Sequence, residues 1–395
     1  MNLDRAPLTG ITVVALEHAI AGPLCTKQLA DLGARIIKIE RPQAGDFARD
    51  YDTRTLGQSS HFVWANRGKL SFSLNIKSPE GIEILKRLLK ESDVLLQNLA
   101  PGAAKRLGLD YSSLHSQFPQ LILCDISGYG QTGPYKDKKA YDLLIQAESG
   151  LLAVTGTEQN IVKSGISIAD IAAGTQANAA ILAAIIQRSK VNKGAHIDIS
   201  MLEAMVEWMG FPLNYAHNGQ AQPERKGTEH PTIYPYGLFQ CKDKSIVFGI
   251  QNEREWNSFC TNILAKDNLV DDIRFASNAL RSQNRESLKP LIKEFLLSCT
   301  AEEVIKKLDE HKIACAKVNH IDEVWQHEQL RFLKKFALTK SPNGNIETML
   351  PPGNSNLFEP NMGPIPELGE HNKLFLEELG YTDKEIEGFV LSGVV

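Results

Sequence analysis

The sequence predicts an α/β protein: a large domain built on a Rossmann-like, doubly wound parallel sheet, followed by a smaller α+β domain. Short β-rich runs alternate with helical runs through residues 1–213, as is typical of a parallel sheet covered by helices. Apolar periodicity then gives way to Asn, Gly, Gln, Pro and charged residues over 214–230, which indicates a linker. A hairpin pattern and new helical runs over 231–330 indicate the second domain.

Length and composition limit the class of protein. The chain has 395 residues, of which 43% are hydrophobic and 23% charged, as is ordinary for a globular protein with room for two domains. Its net charge of −4 argues against general nucleic-acid binding. The first residues lack a signal-peptide pattern, and no unbroken apolar run is long enough to cross a bilayer. We therefore expect a cytoplasmic protein with no membrane partner.

The cysteines and histidines predict neither disulfides nor a metal site. The 6 cysteines are scattered without a CxxC pair, which fits reduced thiols better than a disulfide framework. The 10 histidines form no HExxH or HxH pattern, so no metal ligand set is expected.

The first βαβ unit is the clearest local pattern. Ile11–Leu16 is a β-rich run, Ala21–Pro23 predicts a turn, and Leu24–Leu32 has helical spacing that ends at Gly33. Ala34–Ile39 predicts the second strand. Two strands joined by a helix pair in parallel, so this unit predicts a parallel sheet.

The same alternation continues through the large domain. Its further predicted strands are Leu70–Ile76, Val94–Leu96, Leu121–Ile126 and His196–Ser200. Its further predicted helices are a helix opened by Ser78 and Pro79 that runs to about Lys90, a short helix over Pro101–Leu107, and Met201–Gly210.

The small domain begins with a predicted hairpin, Tyr236–Cys241 and Ser245–Gly249. Its predicted helices lie around Glu253–Leu264, Leu288–Ser298 and Ala301–Glu310. Residues 331–395 form a further linker with strands in Leu333–Gly353 and a last helix near Asn372–Leu379.

One carboxylate, Asp170, lies among small and apolar residues in Ser164–Gly174. The run Thr175–Arg188 is rich in Ala, Ile and Leu and predicts a buried helix, so Asp170 lies where a helix begins. An ordinary N-cap is one interpretation. The other is a functional carboxylate, because glycines on both sides indicate that a large group approaches the backbone closely. The local pattern leaves both open.

The segment Gly128–Gly133 matches GxGxxG and follows a predicted strand. A dinucleotide fingerprint needs a helix directly after its last glycine, whereas Pro134–Lys139 predicts a polar loop. We therefore expect no nicotinamide or flavin cofactor, and interpret the segment as a glycine loop over an active site. The sequence also contains no G-x-S-x-G nucleophile elbow.

Four cations follow predicted strands or occupy the connecting turns: Arg41, Lys77, Arg106 and Lys139. Ligands of doubly wound sheets bind at the carboxyl ends of the strands, so these side chains could hold a phosphorylated ligand. Ordinary surface charge is the alternative for each one. His18 is either a general base or a structural turn residue, and His230 lies just past the linker, where it could line an interdomain cleft.

Taken together, these segments resemble the family III CoA-transferases, the group of formyl-CoA transferase and the carnitine CoA-transferases, over nearly the whole chain. The segments that carry the resemblance are Ala21-Gly22-Pro23, Ile37–Arg41 with Gly45-Asp46, Asn66–Lys69, Leu74-Asn75, Asn98–Gly102, Gly128–Pro134, Tyr141-Asp142, Ala169-Asp170 with Gly174, and Gly194 before Ile197-Asp198.

The resemblance implies an acyl-CoA and a carboxylic acid as substrates, with Asp170 as the nucleophile. It implies CoA contacts at Ala21, Arg41, Leu74, Lys77, Asn98, Arg106 and Lys139, and an acyl site at Ile20, Tyr141 and His230. It also implies an interlocked homodimer whose large domain is built from both chain ends. The last helix would then return to the large domain.

The implied reaction is ping-pong transfer of CoA through an aspartyl anhydride and an aspartyl-CoA thioester, with coenzyme A as a substrate and no other cofactor. A carboxylate nucleophile fits this chemistry because an anhydride can return its energy to a thioester. We expect the helix N-terminus to keep Asp170 ionised at pH 7. A cleft with Tyr141 and His230 would suit a short dicarboxylate such as succinate, glutarate or itaconate.

Two departures from the family pattern limit the substrate. Ile20 stands where formyl-CoA transferase has a glutamine, and Gly249-Ile250-Gln251-Asn252 stands where it has four glycines. A formyl or oxalyl substrate is therefore not expected. One alternative is a racemase of the α-methylacyl-CoA type, but Tyr141 replaces the histidine base of that relative. The other alternative is a non-catalytic CoA-binding protein.

Overall fold

The structure is a computed structural model and describes residues 6–353 and 355–395. The chain forms two compact units. Unit 1 contains the chain up to Gly150, Ser164–Gly210 and Gln329–Val395, and unit 2 contains Leu151–Lys163 and Phe211–Glu328. Leu151–Lys163 belongs to unit 2, whereas the predicted boundaries place it in the large domain.

The strands of unit 1 are β1 (Thr12–Leu16), β2 (Arg35–Glu40), β3 (Lys69–Ser73), β4 (Val94–Gln97), β5 (Ile122–Ser127) and β6 (His196–Ser200). They form one six-stranded sheet in the order β3-β2-β1-β4-β5-β6, with every pair parallel. This is the strand order of doubly wound dinucleotide-binding folds. The predicted α/β class with a parallel sheet is confirmed.

The first nine helices are α1 (Ala21–Asp31), α2 (Ser60–Asn66), α3 (Pro79–Lys90), α4 (Ala103–Arg106), α5 (Tyr111–Leu114), α6 (Asp142–Glu148), α7 (Leu151–Val154), α8 (Ile168–Val191) and α9 (Met201–Trp208). The following helices are α10 (Gly210–Tyr215), α11 (Glu253–Ser258), α12 (Asn278–Gln283), α13 (Arg285–Ser298), α14 (Ala301–Glu310), α15 (Ile321–Trp325), α16 (Glu328–Phe332), α17 (Asn372–Glu378) and α18 (Asp383–Leu391). The remaining strands are β7 (Tyr236–Gln240), β8 (Ser245–Gly249), β9 (Cys315–Lys317), β10 (Phe336–Ser341) and β11 (Gly344–Met349).

The strands of the parallel sheet are buried on both faces. Val14 and Leu16 of β1 and Ile37 of β2 pack with α3 and the C-terminal helices in one apolar cluster. Side chains alternate along a strand, so Val13 and Ala15 point to the opposite face, where α1 and α8 pack together. Such two-sided burial explains why these strands appear in the sequence as short, nearly continuous apolar runs.

The C-terminal part of unit 1 packs on the outer strand of this sheet. Phe375 of α17 contacts Phe72 of β3, with ring centroids 5.2 Å apart. The side-chain Oδ1 of Asn372 accepts a hydrogen bond from the backbone N–H of Ser73 at 2.8 Å. Residues from the start and the end of the chain therefore share one core.

Unit 2 has its own antiparallel sheet, β7-β8-β9. The predicted hairpin is present as β7 and β8, and the third strand, β9, was not predicted. Aromatic residues fill the core of unit 2, with Trp256, Phe259 and Phe248 fully buried.

Two helices differ from the sequence prediction in a way that matters for the site. α1 begins at Ala21, where a turn was predicted, because Pro23 lies in the first helical turn and its missing N–H has no partner to lose there. α8 begins at Ile168 rather than Thr175, so Asp170 lies inside it. The short helices α2 and α6 were not predicted.

α8 is the most apolar long helix of the described chain. By length and composition alone it could cross a membrane. Its buried residues pack against α1 and β5, and it carries polar side chains at Gln176, Asn178 and Gln187. The absence of a membrane partner stays a prediction.

Candidate active site

A cleft of about 790 Å³ opens at the carboxyl ends of the central strands, where β1 lies beside β4 and the strand order reverses. Such switch points are the usual ligand sites of open α/β sheets. Four of the residues predicted to contact CoA line this cleft: Arg41, Leu74, Lys77 and Arg106.

Local backbone structure places the cations of this cleft. Arg41 directly follows β2, and its guanidinium donates to the carbonyl oxygen of Gly45 at 3.2 and 3.3 Å. Gly102 has φ +72° before α4, and a Cβ there would lie 2.8 Å from Nη1 of Arg106. The left-handed backbone of this turn favours glycine, whereas the flexible end of Arg106 could shift to make room for a Cβ. Lys77 is exposed in the turn before α3.

The other predicted CoA contacts, Ala21, Asn98 and Lys139, do not line this cleft. Asn98 acts on the loop after β1: its Oδ1 accepts from the backbone N–H of His18 at 3.0 Å, and its Nδ2 donates to the His18 carbonyl oxygen at 2.9 Å. Lys139 is exposed on the loop between β5 and α6. The CoA contacts of all seven residues stay predictions.

The loop after β1 is held rigidly on both sides. Ala19 has φ +60°, a left-handed conformation that is strained for a residue with a Cβ. The Asp46 carboxylate accepts a hydrogen bond from the backbone N–H of Ala19 at 3.2 Å. The neighbouring residue, His18, is held by its hydrogen bonds with Asn98. This loop leads through the buried Ile20 into α1 and fixes where the first turn of that helix lies.

Asp170 meets the N-terminus of α1. It is the third residue of α8, and its carboxylate accepts a hydrogen bond from the backbone N–H of Ala21. One turn further along α8, a Cβ on Gly174 would lie 2.6 Å from the carbonyl oxygen of Ala21, so glycine allows the two helices to approach. The sequence predicted that a large group approaches the backbone near Gly165 and Gly174. At Gly174 that group is α1 itself, whereas Gly165 faces open space.

The interpretation of Asp170 as an N-cap is wrong. The N-cap residue of α8 is Ser167, which makes no side-chain capping bond. Asp142 supplies the cap instead, because its Oδ1 accepts from the backbone N–H of Ala169 at 2.8 Å. The Asp170 carboxylate is therefore not used to cap α8.

The electrostatics of Asp170 differ from the sequence expectation. Burial and the neighbouring Asp142 carboxylate raise the pKa of Asp170 to about 7, and the Ala21 N–H only partly opposes them. The helix N-terminus therefore does not hold the pKa of Asp170 near its ordinary value, and the side chain is more basic than an ordinary aspartate.

An aromatic row connects the cleft with Asp170. The ring centroids of His18 and Phe47 are 5.5 Å apart, those of Phe47 and Tyr51 are 5.8 Å apart, and Tyr51 meets His61 edge-on at 5.4 Å. Burial and the charges of Asp46 and Asp170 raise the pKa of Tyr51, so its phenol lies within electrostatic range of Asp170. No local sequence pattern predicts this row, because its members come from three separate segments.

Of the predicted acyl-site residues, Tyr141 precedes α6 and is 71% exposed. Ile20 is buried at the start of α1. His230 lies in unit 2, where its ring stacks on Tyr236 and its Nδ1 accepts from the backbone N–H groups of Thr232 and Ile233. The structure gives His230 this local role, and its contact with an acyl group stays a prediction.

A buried ion network below the cleft is the largest feature that sequence reasoning did not assign. Lys69 donates to Glu17 Oε1 at 2.7 Å, and Lys38 lies between Glu17 at 3.5 Å and Asp46 at 2.8 Å. Lys69 also donates to the carbonyl oxygen of Pro23 in the first turn of α1. The network therefore supports the helix end that contacts Asp170.

The loop residues 128–141 contain no helix, so the GxGxxG segment lacks the helix N-terminus that a pyrophosphate would need. In unit 2, Gly249 ends β8 and Asn252 caps α11, whose Glu255 accepts from the backbone N–H of Gln251 at 2.8 Å. Within residues 6–353 and 355–395, no three His, Cys, Asp or Glu side chains are grouped to hold a metal ion.

Comparison with known proteins gives matches over most of the chain. The model of CoA-transferase family III matches residues 8–372. The chain is 36% identical to succinyl-CoA:glutarate CoA-transferase of Mus musculus, over 98% of this chain and 90% of the relative. It is also 36% identical to acetyl-CoA:oxalate CoA-transferase of Acetobacter aceti, over 74% of this chain and 75% of that relative.

A solved structure has the same fold. The crystal structure of a CAIB/BAIF family protein from Brucella suis superposes with a TM-score of 0.84 at 31% identity, covering 95% of this chain and 99% of that protein.

Proposed function

The chain belongs to CoA-transferase family III, and we propose that it moves coenzyme A between a short dicarboxylic acid and an acyl-CoA, with Asp170 as the nucleophile. The observation that carries the proposal is the state of Asp170: a carboxylate freed from capping, held at a helix N-terminus, with a pKa near 7. Relatives named for glutarate and for oxalate support a dicarboxylate substrate.

In the first half-reaction, a carboxylate oxygen of Asp170 attacks the thioester carbonyl carbon of the donor, and the CoA thiolate leaves. This forms an aspartyl–acyl anhydride. The thiolate then attacks the aspartyl carbonyl carbon, and the donor acid leaves as a carboxylate. The protein now carries an aspartyl-CoA thioester, and no proton, metal or redox equivalent has been consumed.

In the second half-reaction, a carboxylate oxygen of the acceptor attacks the aspartyl thioester and expels the thiolate, which re-forms an anhydride. The thiolate attacks the acceptor's carbonyl carbon, and Asp170 leaves as a carboxylate. Each tetrahedral intermediate needs hydrogen-bond donors, and the N–H of Ala21 points at the reacting carboxyl group. The high basicity of Asp170 favours attack, because nucleophilicity rises with basicity.

The large cleft is the proposed site of the CoA nucleotide. Arg41, Lys77 and Arg106 bring three positive charges to its walls, and phosphates are bound most strongly by such charge-assisted hydrogen bonds. The aromatic row from His18 to Tyr51 leads from this cleft towards Asp170 and provides an apolar wall for the chain between nucleotide and thioester.

The test is exchange of CoA between succinyl-CoA and a panel of acids that includes glutarate, itaconate, oxalate and monocarboxylates, with EDTA present. We expect transfer to a dicarboxylate by the wild-type protein, and a loss of at least about 1000-fold in Asp170→Asn, which keeps the size of the side chain but not its nucleophilicity. Asp137→Asn, on the exposed loop before α6, is the matched control.

Full activity of Asp170→Asn, or a requirement for a metal or a nicotinamide, contradicts the proposal. A wild-type protein that binds acyl-CoA without transferring CoA would instead favour a non-catalytic role. Exchange of an α-hydrogen with deuterated water would favour a racemase.

We also propose that the protein is an interlocked homodimer, as the resemblance implies. Core packing of residues from both ends of the chain in unit 1 supports this, since a ring closed in this way could enclose a second chain. Sedimentation should give a dimer that dissociates only on unfolding, and a monomer at micromolar concentration contradicts it.

A further inference from the structure

Gln146 of α6 uses both ends of its side-chain amide although it is completely buried. Its Nε2 donates to Oδ2 of Asp142 at 2.6 Å, and its Oε1 accepts from the backbone N–H of Ser164 at 3.0 Å. A buried amide with a charged acceptor on one side and a backbone donor on the other is held in one orientation.

These two bonds act on the segment that carries Asp170. The chain leaves unit 1 after Gly150 and returns at Ser164, where Gln146 binds it. Five residues further along the chain, the other oxygen of Asp142 accepts from the backbone N–H of Ala169. The segment 164–169 is therefore attached to α6 near both of its ends, directly before the proposed nucleophile.

We propose that Gln146 is a positioning residue of the active site: it orients the Asp142 carboxylate and fixes the returning segment, and thereby sets the place of Asp170. This inference rests on the proposed function for its effect on turnover. Gln146 does not contact Asp170 and takes no part in the chemistry.

Glutamine is suited to this place because one side needs a donor and the other an acceptor. Leucine fills a similar volume and makes neither bond. A glutamate keeps the acceptor for Ser164 but, when ionised, has no donor for Asp142 and adds a charge beside it. Protonation would restore a donor, so Gln146→Glu carries its own internal control.

Three groups act electrostatically on or with Asp170. They are Asp142 on α6, the N–H of Ala21 on α1, and the phenol of Tyr51. Loss of the Gln146 amide removes the hydrogen bond that holds the Asp142 carboxylate in place. The carboxylate can then turn, its distance to Asp170 changes, and the pH at which Asp170 ionises changes with that distance.

The experiment compares Gln146→Leu with Gln187→Leu, an exposed glutamine of α8, in the full-length protein. We expect kcat of Gln146→Leu to fall about 10- to 100-fold, because small displacements of a reacting group have effects of this size. The KM for acyl-CoA should change less than about threefold, since the cleft residues are untouched. Gln187→Leu should match the wild-type protein.

The second measurement does not depend on activity. Titration of ¹³C-labelled aspartate carboxyl carbons, with the Asp170 signal assigned by its loss in Asp170→Asn, should show Asp170 ionising at a different pH in Gln146→Leu than in the wild-type protein. If the wild-type protein transfers no CoA, the proposed function fails, and this titration still tests the positioning role.

Gln146→Glu tests the same role if the leucine variant does not fold. Its kcat relative to the wild-type protein should recover as the pH falls and the introduced carboxyl group becomes a donor. A wild-type kcat with an unchanged Asp170 titration in Gln146→Leu overturns the inference, and so does a pH-independent loss in Gln146→Glu.

Discussion

Two groups of buried charge lie on either side of the first turn of α1, and they are arranged in opposite ways. In the ion network below the cleft, Glu17 and Asp46 alternate with Lys38 and Lys69 at distances from 2.7 to 3.5 Å. On the other side, Asp142 and Asp170 are neighbouring carboxylates, and the described residues form no ion pair with Asp170 within 4.0 Å.

The pKa values follow from this difference. Burial opposes the ionisation of Glu17, yet Lys69 and Lys38 hold its pKa below the ordinary value. For Asp170, burial and Asp142 act in the same direction and raise the pKa to about 7. Glu17 is thus held ionised by its lysine partners, whereas Asp170, a carboxylate beside another carboxylate, has a pKa near neutral pH.

The largest expected effect is a loss of stability when the ion network below the cleft is broken. Glu17→Gln takes away the carboxylate that Lys69 contacts, and removing one partner of a buried ion pair lowers the free energy of unfolding by about 3–5 kcal/mol. Denaturant unfolding measures this. The control is Glu378→Gln, which breaks a surface ion pair with Arg35. The Arg35 side chain is 40% exposed and that of Glu378 43% exposed, so this pair contributes only about 0.2–1 kcal/mol. Equal losses in the two variants would show that the network does not support the fold.

The sequence predicted the sheet well, because buried parallel strands leave short apolar runs between helices, as in β1 and β2. It predicted the start of α1 and α8 poorly: Gly22 and Pro23 suggest a turn, and the caps of α8 come from a distant residue, Asp142. Asp170 was found through its small neighbours, but its pKa depends on burial that no local pattern reveals.

The ion network and the Gln146 clamp could not be derived from sequence for the same reason. Lys38 lies in β2 and Lys69 in β3, and which lysine meets which carboxylate depends on strands that are adjacent only in three dimensions. Gln146 lies in a helix that the sequence did not predict. The partners of charged side chains on neighbouring strands can therefore be assigned only once the fold is known.

The second largest expected effect is a shift in the pH dependence of kcat/KM when the Asp142 carboxylate beside Asp170 is removed. Because Asp170 must be ionised to attack, kcat/KM of the wild-type protein should rise with pH through about 7. Asp142→Asn removes the like charge, so this rise should move to lower pH by about one unit, equivalent to about 1.4 kcal/mol. A pH profile of kcat/KM from 5 to 9 measures the shift. An unmoved profile would show that burial alone raises the pKa of Asp170.

The smallest effect is a gain in stability from removal of the proposed nucleophile. The pKa of Asp170 is raised from 3.8 to about 7 in the folded protein. The folded state therefore binds the Asp170 proton more tightly than the unfolded state, and the stability that this proton contributes at low pH is lost as the pH rises through about 7. At pH 8 the ionised, half-buried carboxylate destabilises the fold. Asp170→Asn removes that charge and should raise the free energy of unfolding at pH 8 by about 1 kcal/mol, after allowance for solvent screening.

At about pH 3 the same variant should match the wild-type protein, since Asp170 is protonated there in both the folded and the unfolded state and Asn resembles the neutral acid. Asp137→Asn, on an exposed loop, should show no such difference between the two pH values. If Asp170 served the helix as a structural cap, Asp170→Asn would instead be neutral at both pH values, and Asp170→Ala would lose about 0.5–2 kcal/mol at both. A gain confined to high pH together with lost transfer would show that the fold gives up stability at this site to keep a reactive carboxylate.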